Sequence, residues 1–278
     1  MRGSLSIPRR RRGGASWFVA VPPGQASEER ATKVAAATSS TVYDARQLLL
    51  RPAPSLRAFA DEAAARAWQS AIAGAGVRAV CYPKARVDAV PDATPVRSVS
   101  IAEPAADPYR ASASSLAIDL GAGAARLPLA SVGLAVVGEL RETELQRRTK
   151  PKVIVDARGR FVQVEMADQE IEREESDWLV IDLHREGAAP LRLLEREVEV
   201  RAPGLARYER RAAFLHLRRW LERAPGAPPV DDGFAAVGVD DVARVRADEL
   251  SRHGNAAAWD DYSAHRWVIE TLLRETHA

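Results

Sequence analysis

The sequence predicts an α+β protein, with a small α/β unit followed by an antiparallel β-barrel that helices cover. Two segments near the middle of the chain carry this prediction: residues 127–140 (LPLASVGLAVVGEL) and 177–184 (DWLVIDLH). Both are short, apolar and rich in β-branched residues, and turn or charge signals flank them, so they are predicted to be strands of one sheet or barrel. Helical patterns with N-cap residues before this region, and helical periodicity after it, predict the helices of the α+β fold.

A β-α-α-β-α-β unit is predicted over residues 17–83. Ser27 and Asp61 are suitable N-caps for two of its helices, because a short polar side chain there accepts a hydrogen bond from a backbone amide of the first turn. The other helix, 41–50, has four apolar residues at helical spacing: Val42, Ala45, Leu48 and Leu49. The three strands are predicted at 17–21, 55–60 and 77–82.

This element order, together with the stretch FADEAAARAWQSAIAGAGVRAV, resembles the fold shared by the adaptor ClpS and the C-terminal domain of ribosomal protein L7/L12. In ClpS, an Asn-Asp pair after the first strand and a later His hold the free amino terminus of a peptide. The corresponding turn here is Pro22, Pro23, Gly24 and Gln25, and residues 17–83 contain no histidine. The resemblance therefore implies the fold of this unit and not the recognition of a peptide terminus.

The barrel region follows a predicted linker at 84–95 (KARVDAVPDATP), which is polar and contains two prolines. About seven short strands are predicted between residues 96 and 200, and a helix over about 205–223. At 100° per residue, one face of this helix carries five apolar residues that we expect to pack on the barrel. These are Ala213, Phe214, Leu217, Trp220 and Leu221.

Seven strands and a closing helix over residues 96–223 resemble the pleckstrin-homology-like (PH-like) superfold found in bacterial proteins. Lipid-binding members of that family hold phosphates with Lys and Arg in the loop after the first strand. That loop here is EPAADPYRASASS, with Arg110 as its one basic residue, so the resemblance does not imply phosphoinositide binding. The resemblance leaves open the family's other common use, in which a groove or sheet edge is presented to a peptide or protein.

A strongly charged segment interrupts the barrel pattern between Arg141 and Asp177. Seven basic residues lie between Arg141 and Arg160, and a mainly acidic run follows from Glu165 to Asp177. We expect the segment to project from the barrel, because burying its charges would carry a large desolvation cost. The change of sign favours pairing of the two halves as a hairpin, with its turn at 156–159.

A helical extension is predicted over residues 224–278, with its main helix at about 256–276 behind Asn255 as N-cap. One face of that helix is an apolar stripe of Ala258, Trp259, Tyr262, His265, Ile269, Leu272 and Leu273. Trp267 falls nearly opposite this stripe. Two interpretations remain open: Trp267 packs in a crevice between domains, or it anchors a partner or a second copy of the chain.

Composition favours a soluble globular protein of two domains, with 278 residues, 46% hydrophobic and 28% charged residues, and a net charge of +2. No apolar run approaches the roughly 20 residues needed to cross a bilayer, so we expect no membrane span and a cytoplasmic location. The single cysteine, Cys81, excludes an internal disulfide and a cysteine-rich zinc site. Residues 1–16 are predicted to be a disordered basic tail that contains Arg9, Arg10, Arg11 and Arg12.

No motif in the sequence has the spacing of a catalytic, metal or cofactor signature. Asp182 and His184 share a face of a predicted strand, but two ligands do not make a metal site, and a partly exposed strand face is the simpler interpretation. His253, Asp261 and His265 lie near one another in the sequence, and an ion pair on a helix surface is the simpler interpretation there. We therefore expect no catalytic residue and no cofactor.

The expected function is that of a non-enzymatic binding or adaptor protein that acts through protein–protein contacts or self-association, with Trp267 as a candidate contact. One alternative is association with nucleic acid through the four tail arginines. In that case the tail is expected to lie beside Arg147, Arg148, Lys150 and Lys152. The other alternative is a hydrolase or nuclease with a dispersed site, which predicts carboxylates or histidines that converge in a cleft.

Overall fold

A computed structural model of the chain describes residues 16–101, 115–121, 123–155, 161–201, 209–236 and 256–276. The chain divides into two compact units. Unit 1 comprises Met1–Asp92 and Ala264–Ala278, and unit 2 comprises Ala93–Ser263. The division falls within the last helix, so the C-terminal residues belong to the same unit as the N-terminal part of the chain.

Unit 1 has the predicted β-α-α-β-α-β order, which confirms that expectation. Its first elements are β1 (Trp17–Val21), α1 (Glu28–Thr38), α2 (Val42–Leu50), β2 (Ser55–Phe59), α3 (Glu62–Gly74) and β3 (Val80–Pro83). The strands form one sheet in the order β2-β1-β3, and both pairings are antiparallel. The predicted N-caps are confirmed, because Ser27 and Asp61 each accept a hydrogen bond from the backbone amide three residues on.

The core of unit 1 has two parts. One lies between the sheet and the first three helices and contains, among others, Val34, Leu49 and Ile72. The other joins Ala20 and Tyr82 of the sheet to apolar residues of the last helix, α6 (Ala256–Glu275). A short helix, α4 (Lys84–Asp88), follows β3 within the predicted linker and buries Val87 in this second part.

The described residues of unit 2 form two sheets. Their strands are β4 (Thr94–Pro95), β5 (Ser98–Ile101), β6 (Ser115–Asp119), β7 (Ala124–Pro128), β8 (Val132–Val155), β9 (Phe161–Arg185), β10 (Ala188–Leu194), β11 (Glu199–Arg201) and β12 (Val230–Asp231). The strand order is β12-β8-β9-β10-β4 in the first sheet and β11-β5-β6-β7 in the second. The sequence predicts a single antiparallel barrel here, but neither sheet closes on itself among the described residues. The pairings of β4 with β10, β5 with β11 and β8 with β12 are parallel, and each brings together distant parts of the chain.

One apolar core lies between the two sheets of unit 2 and is covered by α5 (Arg210–Arg223). The sheets contribute β-branched and leucine side chains such as Val99, Leu116, Ile181 and Leu193. Helix α5 buries the five residues predicted from its periodicity, which confirms that its apolar face packs on the strands.

Strands β8 and β9 are far longer than their neighbours and pair antiparallel from Val132–Arg185 at one end to Val155–Phe161 at the other. The predicted pairing of the basic and acidic halves of the charged segment is therefore confirmed, with Arg141 opposite Asp177 and Arg148 opposite Glu170. The predicted turn at 156–159 lies outside the described residues. We call residues 142–155 and 161–176 the ribbon, and at about 3.3 Å per residue its first strand spans roughly 45 Å.

Helix α6 occupies the predicted range to within one residue. Five residues of its predicted apolar stripe are buried, namely Ala258, Trp259, Tyr262, His265 and Ile269. None of the described helices is long and apolar enough to cross a membrane.

Candidate functional site

The strongest concentration of polar groups inside unit 2 surrounds Asp182, on β9. Its carboxylate is 1% exposed, yet it accepts four hydrogen bonds. Arg192 on the adjacent strand β10 donates two of them, at 2.7 Å to each carboxylate oxygen. Trp259 Nε1 and Ser263 Oγ of α6 donate to Oδ2, at 2.9 and 2.8 Å. A buried carboxylate is tolerated when its lone pairs are occupied in this way.

Arg192 links the buried carboxylate to the surface. Its register partner on β9 is Asp182, and its Nη1 atom lies 2.7 Å from Oδ1 of Asp260, whose side chain is 46% exposed. Burial by itself would lower the pKa of Arg192, but hydrogen bonds and charge from Asp182 and Asp260 raise it overall. The guanidinium therefore keeps its charge, and the fork of two parallel hydrogen bonds fixes its orientation.

His184 and Ser263 complete the network, which we call the Asp182 network. Nε2 of His184 lies 2.8 Å from the Ser263 hydroxyl, and both residues are buried. Because the single hydroxyl proton of Ser263 is donated to Asp182, the hydroxyl accepts from His184, which assigns the proton to Nε2. Burial lowers the pKa of His184 to about 4, against a raising effect of Asp182, so the ring is neutral at pH 7.

The direction of these hydrogen bonds differs from that of a hydrolytic triad. In a Ser-His-Asp triad the serine donates to the histidine, and the carboxylate orients the other ring nitrogen. Here Ser263 donates to the carboxylate and accepts from His184, so His184 is not placed to withdraw the serine proton. Asp182, His184 and Ser263 are 1%, 1% and 3% exposed, so a substrate has no access to them. The described arrangement stabilises unit 2 and does not activate a nucleophile.

Metal binding by Asp182 and His184 also lacks support in the structure. Over the described ranges there is no group of three or more His, Cys, Asp or Glu side chains that could hold a metal ion. The prediction that this strand face is partly exposed is wrong, because α6 covers it with Trp259 and Ser263. Sequence reasoning placed the two residues on one face but had no signal for their partners, which lie 77 and 81 residues away from Asp182.

Aromatic side chains close the network on one side. The Trp259 ring is fully buried and packs edge-on against Phe234, with ring centroids 5.0 Å apart. Tyr262 also contacts Phe234 and donates its hydroxyl proton to buried Asp231. A Cβ atom at Gly138 would overlap the Trp259 ring, so glycine is required at that point of β8 for the close approach of α6.

Unit 1 contains a smaller buried polar pair, Tyr82 and His265. The Tyr82 hydroxyl lies 3.0 Å from His265 Nδ1, and Phe18 packs edge-on against the imidazole with centroids 4.7 Å apart. Burial raises the pKa of Tyr82 well above its usual value. The phenol is therefore neutral, and His265 belongs to the core of unit 1 and not to an exposed helix surface as predicted.

The remaining predicted candidates lie partly on α6 and β8 and partly outside the described residues. Trp267 is half-buried on α6, and Asp261 is half-buried in the preceding turns of the same helix. Arg9, Arg10, Arg11, Arg12 and His253 lie outside the described residues. Arg147, Arg148, Lys150 and Lys152 all lie on β8 within the ribbon, as the register of β8 and β9 shows. Association of the tail with these residues stays a prediction.

The most exposed large apolar residues in the described part of unit 1 lie on α2. Tyr43 is 69%, Leu50 55% and Val42 40% exposed. At 100° per residue Tyr43 and Leu50 lie about 20° apart, and Val42 lies at the border of this face, next to buried Leu49. We call Val42, Tyr43 and Leu50 the α2 face.

Comparison of the chain with protein-family models, with curated proteins and with solved structures finds no match.

Proposed function

We propose that this chain is a non-enzymatic binding protein that acts through protein–protein contacts, with the α2 face as its contact surface. The observation that carries the proposal is the exposure of a tyrosine, a leucine and a valine together on one side of a nine-residue helix. Single exposed apolar residues are ordinary, but a contiguous group of them marks a contact surface. Tyrosine is also enriched among the residues that dominate interface energies.

The buried polar groups of both units support a binding role over a catalytic one. Asp182, His184 and Ser263 in unit 2 and Tyr82 and His265 in unit 1 are buried. Ser263 is hydrogen-bonded to His184, and Tyr82 to His265, within each unit. An enzyme needs its reactive groups in a cleft that substrate can enter.

The partner that fits the α2 face is a protein segment with an apolar helical side of its own. Because Val42, Tyr43 and Leu50 follow helical spacing, an amphipathic helix can lie along them and bury all three. Arg46, which lies between them on the same side of α2, is paired with Glu28 of α1 at 3.1 Å. The Arg46–Glu28 pair carries no net charge at the rim of the face. We therefore expect the apolar contact, and not charge attraction, to determine the affinity.

The test uses the full chain as bait in an extract of its native cell, with Tyr43→Ser,Leu50→Ser as the variant. A partner captured by the parent should be lost by this variant, and the affinity of the purified pair should fall by at least about tenfold. Leu120→Ser is the matched control, because Leu120 is an exposed large apolar residue of unit 2. The thermal stability of both variants should stay close to that of the parent, since surface substitutions change stability little.

Equal capture of the partner by the parent and by the Tyr43, Leu50 variant would refute the contact surface. Loss of the partner with Leu120→Ser but not with the double variant would assign the contact to unit 2 instead.

A further inference from the structure

The ribbon has two edges that none of the described strands covers. Among the described residues, β12 pairs with β8 only at Ala135 and Val136, and β10 pairs with β9 only between Val180 and Arg185. Beyond Arg141 and Asp177 the described part of this sheet therefore consists of two strands, β8 and β9. A two-stranded hairpin is marginally stable in water, and an edge of unpaired amides and carbonyls pairs readily with another strand.

The outer edge of β8 has a charge pattern that is complementary to itself. Residues 142–150 read ETELQRRTK, with acidic residues at the start and basic residues at the end. If two copies pair antiparallel with Gln146 opposite Gln146, Glu144 lies opposite Arg148 and Glu142 opposite Lys150. Thr143 then lies opposite Thr149. Opposite charges and threonine pairs at facing positions both favour strand pairing.

The outer edge of β9 lacks this property. Its residues 170–175 are EIEREE, so an antiparallel pairing of two copies centred on Glu172 places Glu170 opposite Glu174. Like charges at facing positions oppose pairing. Of the two edges of the ribbon, only that of β8 therefore suits a second copy of the chain.

We propose that two copies of this chain associate through the outer edges of their β8 strands, antiparallel and centred on Gln146. The resulting sheet has four strands in the order β9-β8-β8-β9, which removes the isolated two-stranded ribbon. The arrangement is two-fold symmetric and closes at two copies, whereas β8 against β9 of the next copy would extend without limit. Pro151 ends the paired segment, because it lacks an amide hydrogen.

The first test is a disulfide across the two-fold axis. Gln146→Cys is made with Cys81→Ala, which removes the native thiol. Facing positions of an antiparallel pair bring two Cβ atoms to about 4.5–5.5 Å, close to disulfide range, so mild oxidation should give a covalent dimer. The control is Glu172→Cys with Cys81→Ala, since Glu172 faces Gln146 within the ribbon but lies on β9. Cross-linking of Glu172→Cys equal to that of Gln146→Cys would overturn the proposal.

The second test is a charge swap followed by sedimentation equilibrium of the full chain. Glu144→Arg and Arg148→Glu each place two pairs of like charges across the axis, so each should raise the dimer dissociation constant by about tenfold. The double variant restores both pairs with their signs exchanged and should return the constant toward that of the parent. A monomeric parent at about 100 μM would overturn the proposal.

Single variants that dimerise like the parent, or a double variant without rescue, would also overturn it. The inference does not depend on the α2 face, and Tyr43→Ser,Leu50→Ser should dimerise as the parent does. Far-UV circular dichroism should be unchanged in every variant, which separates lost association from lost folding.

Discussion

Asp182→Asn should destabilise unit 2 severely, although it changes one atom of one side chain. The carboxylate accepts four hydrogen bonds, and asparagine replaces one acceptor oxygen by an NH2 group that faces donors. It also leaves Arg192, whose side chain is 23% exposed, without the charge of its buried partner. Breaking a buried ion pair by removing one partner costs about 3–5 kcal/mol. At about 2–4 °C per kcal/mol, the melting temperature of the unit should fall by roughly 10 °C.

The matched control is Asp177→Asn, five residues earlier on the same strand. Asp177 is 42% exposed and pairs with Arg141, which is 62% exposed, so its loss should cost less than about 1 kcal/mol. Because the chain has two units, hydrogen exchange read by mass spectrometry should follow peptides of β9 and β10 separately from those of β1 and β3. A loss of protection in β9 and β10 no larger for Asp182→Asn than for Asp177→Asn would refute the reasoning.

A double variant tests the cause of that loss. If the cost of Asp182→Asn comes from the positive charge of Arg192 that is left without its partner, Arg192→Met should relieve that cost. The free energy of unfolding of Asp182→Asn,Arg192→Met should then be higher than the sum of the two single effects predicts. Strict additivity of the free energies of unfolding would show that Asp182 and Arg192 do not act as a pair.

Four further predictions concern other parts of the two units. The pKa of His184 is about 4 in the folded chain and 6.5 in the unfolded chain, so the unfolded chain binds the proton first as pH falls. The free energy of unfolding of unit 2 should therefore decrease by up to about 3 kcal/mol between pH 6.5 and pH 4. In urea unfolding measured over this pH range, His184→Gln should remove most of that decrease. Gly138→Ala should cost about 1–3 kcal/mol in urea unfolding because its methyl group overlaps the Trp259 ring, whereas Gly74→Ala meets no atom within 4 Å and should be tolerated. A fragment of residues 1–92 lacks the core residues that α6 supplies, so a peptide of residues 264–278 should bind it and raise its melting temperature. An unchanged melting temperature when the peptide is titrated into the fragment would contradict this. If Trp267 anchors a partner or second copy, Trp267→Ala should keep the melting temperature and lose association, whereas a drop of about 3 kcal/mol in stability would assign the ring to the core.

Local features of the sequence determined most of the elements. Ser27 and Asp61 predicted the starts of two helices, because an N-cap hydrogen bond joins residues only three positions apart. The periodicity of α5 identified its buried face for the same reason, since a helix turns by a constant angle per residue. The opposite charges at the two ends of the segment from Arg141 to Asp177 predicted its pairing, because a hairpin joins neighbours in sequence.

Only the tertiary structure decided which distant elements meet. The parallel pairings of β4 with β10 and of β8 with β12 turn a predicted barrel into two sheets, and no local pattern encodes them. Asp182 and His184 have the alternation of an ordinary strand, and their burial became visible only with Trp259 and Ser263 of α6 in place. The physical reason is that hydrogen-bond partners of a buried charge are chosen by position in space, and periodicity in sequence carries no information about contacts across nearly 80 residues.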